Sequence, residues 1–145
     1  MLTAAALMAL VAGCDMHTSA NGDLDGFWQL IQVDTLSTGR SGDVRSQRVF
    51  WMVQGSMLEM RDLHDLDGNL CHEAVNFRFT YSGSTLSLYE PIVSNREISD
   101  SLVTQSSTLE FYGLSQLEPV LDVLRLDGYK MILQSDRYKM YFNRY

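Results

Sequence analysis

The stretch Ala74–Tyr89, AVNFRFTYSGSTLSLY, decides the fold class because its apolar residues recur at every second position. In its first half, four large apolar residues alternate with smaller or polar neighbours, namely Val75, Phe77, Phe79 and Tyr81. A period of two places alternate side chains on opposite faces, as in a half-buried strand. Ser82-Gly83-Ser84 then leads into a second apolar alternation, so the stretch predicts an antiparallel hairpin.

Similar strand signals continue on both sides of this hairpin. The further candidates are Phe27 to Val33, Arg48 to Gln54, Met57 to Leu63, Val120 to Leu126, Tyr129 to Gln134 and Tyr138 to Asn143. Most neighbouring candidates are separated by turns such as Asp127-Gly128, which are too short for the crossovers that parallel strands need. About eight strands, each joined to its sequence neighbour, predict an all-β protein folded as an antiparallel up-and-down barrel.

Two stretches interrupt the strand pattern. Leu36 to Asp43 contains Ser, Thr and Gly, and predicts a flexible loop between the first two strands. The longer stretch Ile92–Gln116 is interpreted as a crossover or lid. Within it, Asn95 to Leu102 is compatible with a short helix and Thr108 to Tyr112 with a ninth strand.

Length and composition exclude several classes of protein. The 145 residues, 46% of them hydrophobic, suit one folded domain and exclude a disordered chain. A net charge of −7 argues against a nucleic-acid partner. Two cysteines cannot form a disulfide framework, and no apolar run approaches the ~20 residues of a membrane-spanning helix.

The first fourteen residues have the pattern of a secretory signal. Met1 to Gly13 carries no charge, and its apolar run ends in Val11-Ala12-Gly13-Cys14. This ending resembles a bacterial lipobox, which implies cleavage before Cys14 and acylation of that cysteine with chains such as palmitate. The absence of Lys or Arg before the run indicates a translation start upstream of Met1.

These features divide the chain into a signal peptide (1–13), an acylated cysteine with a polar tether (14–25) and a barrel domain (26–145). We expect a lipid-anchored protein of the bacterial cell envelope, attached to a membrane through Cys14, with the outer membrane favoured. Asp15 after the cysteine is compatible with either membrane, so the inner membrane stays open.

A resemblance to a known family begins at Gly26-Phe27-Trp28, a Gly-x-Trp motif at the opening of the first strand. Lipocalins and related calycin barrels place this motif at that position. The ending, Lys130 to Gln134 followed by a turn and Tyr138 to Tyr145, is similar to small lipocalin-like lipoproteins of Bacteroides-type bacteria, most of which have no assigned function. The resemblance implies a lipocalin-like barrel.

The resemblance also implies a barrel-closing pair, Trp28 and Arg144. In lipocalin-like barrels, a basic residue of the last strand packs across the tryptophan of the first strand. Here the Arg144 guanidinium would lie over the Trp28 ring and donate hydrogen bonds to carbonyls near Leu24 or Asp25. Arg144 shares the parity of Tyr138, Met140 and Phe142, which also predicts an inward direction.

Candidate chemistry is sparse. Five potential metal ligands lie close together, namely His64, Asp65, Asp67, Cys71 and His72, but their spacing does not match a structural zinc site or a calcium loop. We interpret them as a polar turn followed by a buried thiol. No motif for nucleophilic catalysis is present, so we expect no metal, no cofactor and no enzymatic activity.

Eight large apolar residues are predicted to line the barrel interior: Phe50, Met52, Met60, Phe77, Phe79, Met131, Met140 and Phe142. An eight-stranded barrel either fills with side chains or holds one small ligand. The sequence therefore leaves open an envelope protein that binds a small apolar molecule and a barrel with a solid core. The alternative function is a protein-interaction or inhibitor module that uses the loops around Arg40 and Ile92–Gln116.

Overall fold

The computed structural model describes residues 19–63, 72–94 and 99–145. Within these ranges the chain forms ten strands and three short 3-10 helices. The strands are β1 (Gly26–Thr35), β2 (Arg40–Asp43), β3 (Val49–Gln54), β4 (Met57–Asp62), β5 (Val75–Tyr81), β6 (Thr85–Val93), β7 (Ser101–Leu102), β8 (Val120–Leu126), β9 (Lys130–Gln134) and β10 (Tyr138–Arg144). The helices are Gly22–Leu24, Arg45–Gln47 and Ser106–Tyr112. No helix in these ranges is long and apolar enough to cross a membrane.

Eight of the ten strands close into an antiparallel barrel. The ring runs β1-β3-β4-β5-β6-β8-β9-β10, and β10 returns to pair with β1. Most neighbours in the ring are joined by short turns, which is why the pairing follows the order of the chain. This confirms the prediction of an antiparallel up-and-down barrel.

The barrel core is apolar and follows the alternation of the sequence. On β5, Val75, Phe77 and Phe79 are buried while Arg78 and Thr80 are exposed. One cluster of buried side chains spans the barrel and includes both tryptophans, Trp28 and Trp51. Such alternation fixes the register, because a slip of one residue would turn every apolar side chain to solvent.

The predicted flexible loop at Leu36–Asp43 is wrong in its second half. A tight turn closes when the Gly39 N–H donates to the Thr35 carbonyl at 2.8 Å, with Gly39 at φ +66°. Arg40–Asp43 then returns as β2 beside the end of β1. All four residues of β2 are exposed, so the strand had no apolar alternation from which it could be predicted.

The predictions within Ile92–Gln116 are also corrected. Ser101 and Leu102 form the short strand β7 beside β6 instead of ending a helix, and residues 95–98 lie outside the described residues. Thr108–Tyr112 is not a strand, since it belongs to the 3-10 helix Ser106–Tyr112, which we name the capping helix. Leu109 and Tyr112 of this helix are fully buried in the barrel core. The helix stops at Gly113, whose φ of +88° suits glycine.

We name the two ends of the barrel by the residues that close them. At the Trp28 end lie the turn Gly22–Leu24, the β3–β4, β5–β6 and β8–β9 turns, and Tyr145. At the Tyr112 end lie the capping helix, the β4–β5 connection and the β9–β10 turn. Leu24 is fully buried at the Trp28 end, so the folded domain begins before the boundary at residue 26 drawn from the sequence.

Candidate functional site

The barrel interior holds six of the eight residues predicted to line it. Met60, Phe77, Phe79, Met131, Met140 and Phe142 belong to the buried core cluster. Phe50 and Met52 do not. Phe50 stacks on Phe27 at 4.7 Å and contacts the Tyr145 ring, outside that cluster.

The error on β3 has a simple cause. Five consecutive residues of this strand are apolar, Val49 to Val53, so the sequence does not show which parity faces inward. In the fold, Val49, Trp51 and Val53 face the core, because Trp51 pairs with Trp28 of β1 and with Met60 of β4. Phe50 and Met52 therefore lie on the outer face of the sheet.

The interior is filled by side chains. Five large core side chains are completely buried, so no space large enough for a water molecule adjoins them: Trp28, Trp51, Met60, Phe77 and Met131. Dense packing of this kind is usual for a barrel of eight strands. In the described part of the chain, the site is therefore an apolar interior that a ligand could enter only after side chains move.

Two buried polar side-chain atoms have no hydrogen-bond partner among the described residues, the Nε1 of Trp51 and the Nε of Arg144. Trp51 belongs to the apolar core cluster. By contrast, the Nε1 of Trp28 donates to the Leu24 carbonyl at 2.9 Å. An unpaired buried donor costs about 1–3 kcal/mol. Trp51 carries no sequence signal for this role, because the pattern of residues does not show whether an acceptor lies near a side chain.

The capping helix seals the Tyr112 end. Leu109, Tyr112 and Leu114 are fully buried, and a Cβ on Gly113 would lie 2.7 Å from the Sδ of Met140. The Tyr112 hydroxyl donates to the Glu73 carbonyl at 2.8 Å. Burial raises the pKa of this hydroxyl, and the nearby Asp62 carboxylate raises it further, so Tyr112 stays neutral and able to donate.

Beside the capping helix, His72 of the β4–β5 connection makes a polar contact with Asp62 at the end of β4. The fully buried Asp62 accepts hydrogen bonds from the His72 backbone N–H at 3.2 Å and contacts the His72 Nδ1 at 2.8 Å. The His72 ring stacks on Phe111 of the capping helix at 3.7 Å. Through His72, these contacts connect the capping helix to the end of β4 and to the segment that leads into β5.

Four of the five potential metal ligands lie outside the described residues, namely His64, Asp65, Asp67 and Cys71, as does Cys14. His72 is the described member of this cluster. Among the described residues, no three His, Cys, Asp or Glu side chains are arranged to hold a metal ion. His72 instead pairs with Asp62 and packs on an aromatic ring.

The predicted pair, Trp28 and Arg144, is in contact and closes the Trp28 end of the barrel. Trp28 and Arg144 are direct partners across β1 and β10, and the guanidinium carbon lies 4.5 Å from the Trp28 ring centroid. The guanidinium donates to the Asp25 carbonyl at 2.9 Å and to the Asp23 carbonyl at 2.6 Å. A cation over an aromatic face and charged hydrogen bonds both stabilise this arrangement.

The close approach of Arg144 explains why the Gly26-Phe27-Trp28 motif starts with glycine. Its φ is +145°, and a Cβ at this position would overlap the Arg144 guanidinium. We expect Gly26→Ala to lower the free energy of unfolding by about 1–3 kcal/mol, through backbone strain and displacement of the guanidinium. Urea unfolding monitored by fluorescence measures this change.

The matched control is the same substitution in an Arg144→Ala background, where the space beside Gly26 is free. The part of the loss that arises from the overlap should then disappear. An equal loss in both backgrounds would show that the overlap contributes nothing and that only the φ angle matters.

Comparisons with known proteins agree with this architecture. A family model described as a lipocalin-like domain matches residues 8–145. None of the curated proteins matches the sequence. Among solved structures, a lipocalin-like protein from Bacteroides uniformis superposes with a TM-score of 0.62 at 22% identity, covering 86% of this chain and 100% of that one.

An uncharacterized protein from Bacteroides eggerthii gives a TM-score of 0.61 at 18% identity, covering 83% of this chain and 98% of that one. At these identities the likeness concerns the fold alone. The family match covers nearly the whole chain, including the Gly26-Phe27-Trp28 motif and the last strand with Arg144. The chain therefore belongs to the lipocalin-like domain family.

Proposed function

We propose that this protein is a lipid-anchored envelope protein whose barrel binds a small apolar molecule that carries one hydrogen-bond acceptor. The observation that carries the proposal is the Nε1 of Trp51, which lies in the apolar core cluster and has no hydrogen-bond partner among the described residues. An oxygen on the ligand would accept from this N–H and recover the cost of leaving it unpaired. The rest of the ligand would contact apolar side chains.

Three core methionines support this class of ligand. Met60, Met131 and Met140 are unbranched, and such side chains change shape at low cost when a ligand enters. Met60 is the direct partner of Trp51 across β3 and β4. Rotation of Met60 is therefore the change that we propose opens a space beside the Trp51 side chain.

Access is proposed to occur at the Tyr112 end. The capping helix is one short 3-10 segment, and it is not a strand of the closed ring. Its described attachments beyond apolar packing are the Tyr112–Glu73 hydrogen bond and the stacking of Phe111 on His72. Displacement of this helix would remove Leu109 and Tyr112 from the core and open the interior to solvent.

Membrane attachment is proposed to occur through Cys14. Support comes from the lipobox-like sequence Val11-Ala12-Gly13-Cys14 after an uncharged apolar run. Two or more acyl chains on one cysteine hold a protein stably on a bilayer, since each buried methylene contributes about 0.8 kcal/mol. The anchor would then hold the barrel close to a membrane surface.

The two tryptophans allow a direct test, because each contributes one indole N–H signal in a proton–nitrogen NMR spectrum. We expect methyl nonyl ketone to shift the Trp51 signal downfield, while the Trp28 signal, already bonded to Leu24, stays in place. Undecane, which has the same chain length and no oxygen, should enter without that shift. In Trp51→Phe, the ratio of the affinity for the ketone to that for undecane should fall by roughly 2–10-fold, which corresponds to the net free energy of one hydrogen bond.

Removing the hydroxyl of Tyr112 should make uptake easier. Tyr112→Phe loses the bond to Glu73, and a loss of about 1 kcal/mol would raise the open population, and the apparent affinity, roughly fivefold. Tyr81→Phe is the matched control, since its hydroxyl contacts only the Gly83 carbonyl at the opposite end. If neither molecule changes the spectra of the wild type or of Tyr112→Phe, the interior is a solid core and the proposal is wrong.

The alternative of a protein-interaction module is favoured by one surface feature. A cleft of about 530 Å³ opens where β6 and β8 diverge, lined by Glu90, Pro91, Leu102, Val103, Thr104, Leu117 and Glu118. Leu102 is largely exposed there, inside the stretch predicted for partner binding. Cross-linking in whole cells that recovers one protein through Leu102, lost in Leu102→Asp, would support this alternative.

A further inference from the structure

The Trp28 end carries an unusual group of exposed apolar side chains. Seven large hydrophobic residues of the described chain are exposed, and four of them lie at this end, namely Met57, Leu124, Tyr129 and Tyr145. Tyr129 is 81% exposed and Tyr145 is 71% exposed. Isolated exposed apolar residues are common on protein surfaces, whereas several around one end of a barrel indicate a contact with a partner.

These tyrosines are held outward by an ordered framework. The Tyr145 N–H donates to the Phe27 carbonyl at 2.8 Å, and its ring packs edge-on against Phe27 and Phe50. The Tyr129 carbonyl accepts from the Arg144 N–H at 2.8 Å. Their exposure is therefore a feature of the folded barrel and is not caused by a frayed terminus.

The β8–β9 turn that presents Tyr129 is also well bonded. The Asp127 carboxylate accepts from the backbone N–H groups of Tyr129 and Lys130 at 2.9 and 2.8 Å. These hydrogen bonds lower the pKa of Asp127 to about 2, so the carboxylate stays charged and the turn stays closed at neutral pH.

Charge at this end is balanced, in contrast to the chain as a whole. From residue 22 to 25, from residue 125 to 130 and at the end of β10, the charged side chains are three acids and three bases, namely Asp23, Asp25, Asp127, Arg125, Lys130 and Arg144. The complete chain has a net charge of −7. An anionic bilayer surface would repel the chain's net negative charge but not this end.

Covalent geometry places the same end near the proposed anchor. The chain reaches Ser19 beside the β3–β4 turn, where the side-chain amide of Asn21 donates to the Gly55 carbonyl at 2.7 Å. Cys14 lies five residues before Ser19, so their Cα atoms are at most ~18 Å apart. If Cys14 is acylated, as the proposed function requires, the Trp28 end cannot move far from the bilayer.

We propose that the Trp28 end is a membrane-docking surface that inserts Tyr129 and Tyr145 into the headgroup region of a phospholipid bilayer. Tyrosine is favoured at this depth because its ring is apolar and its hydroxyl remains hydrated. Met57 and Leu124 would contact the same layer from the neighbouring turn and strand. The capped Tyr112 end would then face the aqueous side. This inference rests on the proposed acylation for its anchor, and on the exposed residues for its surface.

Hydroxyl-radical footprinting on vesicles of phosphatidylethanolamine and phosphatidylglycerol tests the surface. A Cys71→Ser chain is coupled through Cys14 to a maleimide lipid in the vesicle, and the reference is the same chain with Cys14 blocked by a soluble maleimide. We expect labelling of Tyr129 and Tyr145 to fall below half of the reference. Leu36 and Leu102, exposed apolar residues elsewhere on the barrel, should keep their labelling and serve as internal controls.

Two substituted chains sharpen the result. Tyr129→Ser/Tyr145→Ser should lose the vesicle protection of Met57 and Leu124, whereas Leu36→Ser/Leu102→Ser should keep it. If Tyr129 and Tyr145 are labelled to the same extent on coupled vesicles as in the reference, the docking surface is wrong. Protection that grows with protein density on the vesicle would also overturn it, since the occupant would then be a second copy of the chain.

The outcome for acylation is read separately. The intact mass of the chain purified from bacterial membranes shows whether Cys14 carries acyl groups. Because the maleimide lipid supplies the anchor in the footprinting experiment, absence of natural acylation would contradict the proposed anchor without preventing the test of the surface.

Discussion

Replacement of Trp28 by alanine is expected to lower the free energy of unfolding by about 3–5 kcal/mol, the usual cost of truncating a fully buried aromatic side chain. Trp28 is completely buried, pairs with Trp51 and Arg144 on the two neighbouring strands, and bonds Leu24 through its indole N–H. Its loss would remove core volume and the platform for Arg144 together. Urea unfolding with circular dichroism measures the change.

Arg144→Ala should cost less, about 1–3 kcal/mol, since it removes a cation over a ring and hydrogen bonds to two carbonyls. The double variant should lose less than the sum of the single losses, because the contact between the two side chains is counted in both. Arg137→Ala is the matched control at the opposite end, where an exposed arginine should change stability by less than about 0.5 kcal/mol. Strictly additive losses would show that Trp28 and Arg144 do not stabilise each other.

Cys14→Ala is expected to abolish fatty-acid labelling and to release the protein from the membrane fraction. The lipobox resemblance implies a diacylglyceryl group on the sulfur of Cys14, and alanine has no sulfur to carry it. Two chains are needed for stable anchoring. Radiolabelled palmitate followed by fractionation of the cells measures both effects.

Cys71→Ala is the matched control, because these are the only two cysteines of the chain. It should keep the label and the membrane location of the wild type. Palmitate labelling that persists in Cys14→Ala would contradict the lipobox interpretation, whereas labelling lost in Cys71→Ala would move the acylation site.

The strands of the barrel could be predicted from the sequence because their signal is local. Val75, Phe77 and Phe79 alternate with polar neighbours, and the next strand follows after only three turn residues. Strand β8 runs from Val120 to Leu126, as predicted. Pairing between neighbours then required no information from distant residues, since short turns leave only the antiparallel hairpin.

The elements that were missed lack such a local signal. Arg40–Asp43 is exposed and polar, and it becomes a strand because the end of β1 offers it hydrogen-bonding groups. The capping helix was mistaken for a strand at Thr108–Tyr112, since a single 3-10 turn has no distinguishing period. What selects the helix is the apolar opening at the Tyr112 end, which only the closed barrel creates.

In the candidate site, too, residues with a local signal were predicted correctly and residues without one were not. Arg144 and Trp28 were paired from a family resemblance together with strand parity, and they are direct partners across β1 and β10. Phe50 and Met52 were assigned to the wrong face because every residue around them is apolar. The Trp51 N–H, which has no acceptor among the described residues, had no sequence signal. Whether an acceptor lies nearby depends on how the whole interior is packed.

The sequence by itself thus determined the all-β class, the order of pairing along the chain and most inward positions, because alternation and turn chemistry act over a few residues. Only the tertiary structure decided which face of β3 is inside, how the two ends are closed and which buried donors lack a partner in the described part of the chain. It also decided that Tyr129 and Tyr145 lie together at the Trp28 end. These features depend on residues far apart in the chain, and burial and hydrogen-bond satisfaction are properties of the closed barrel as a whole.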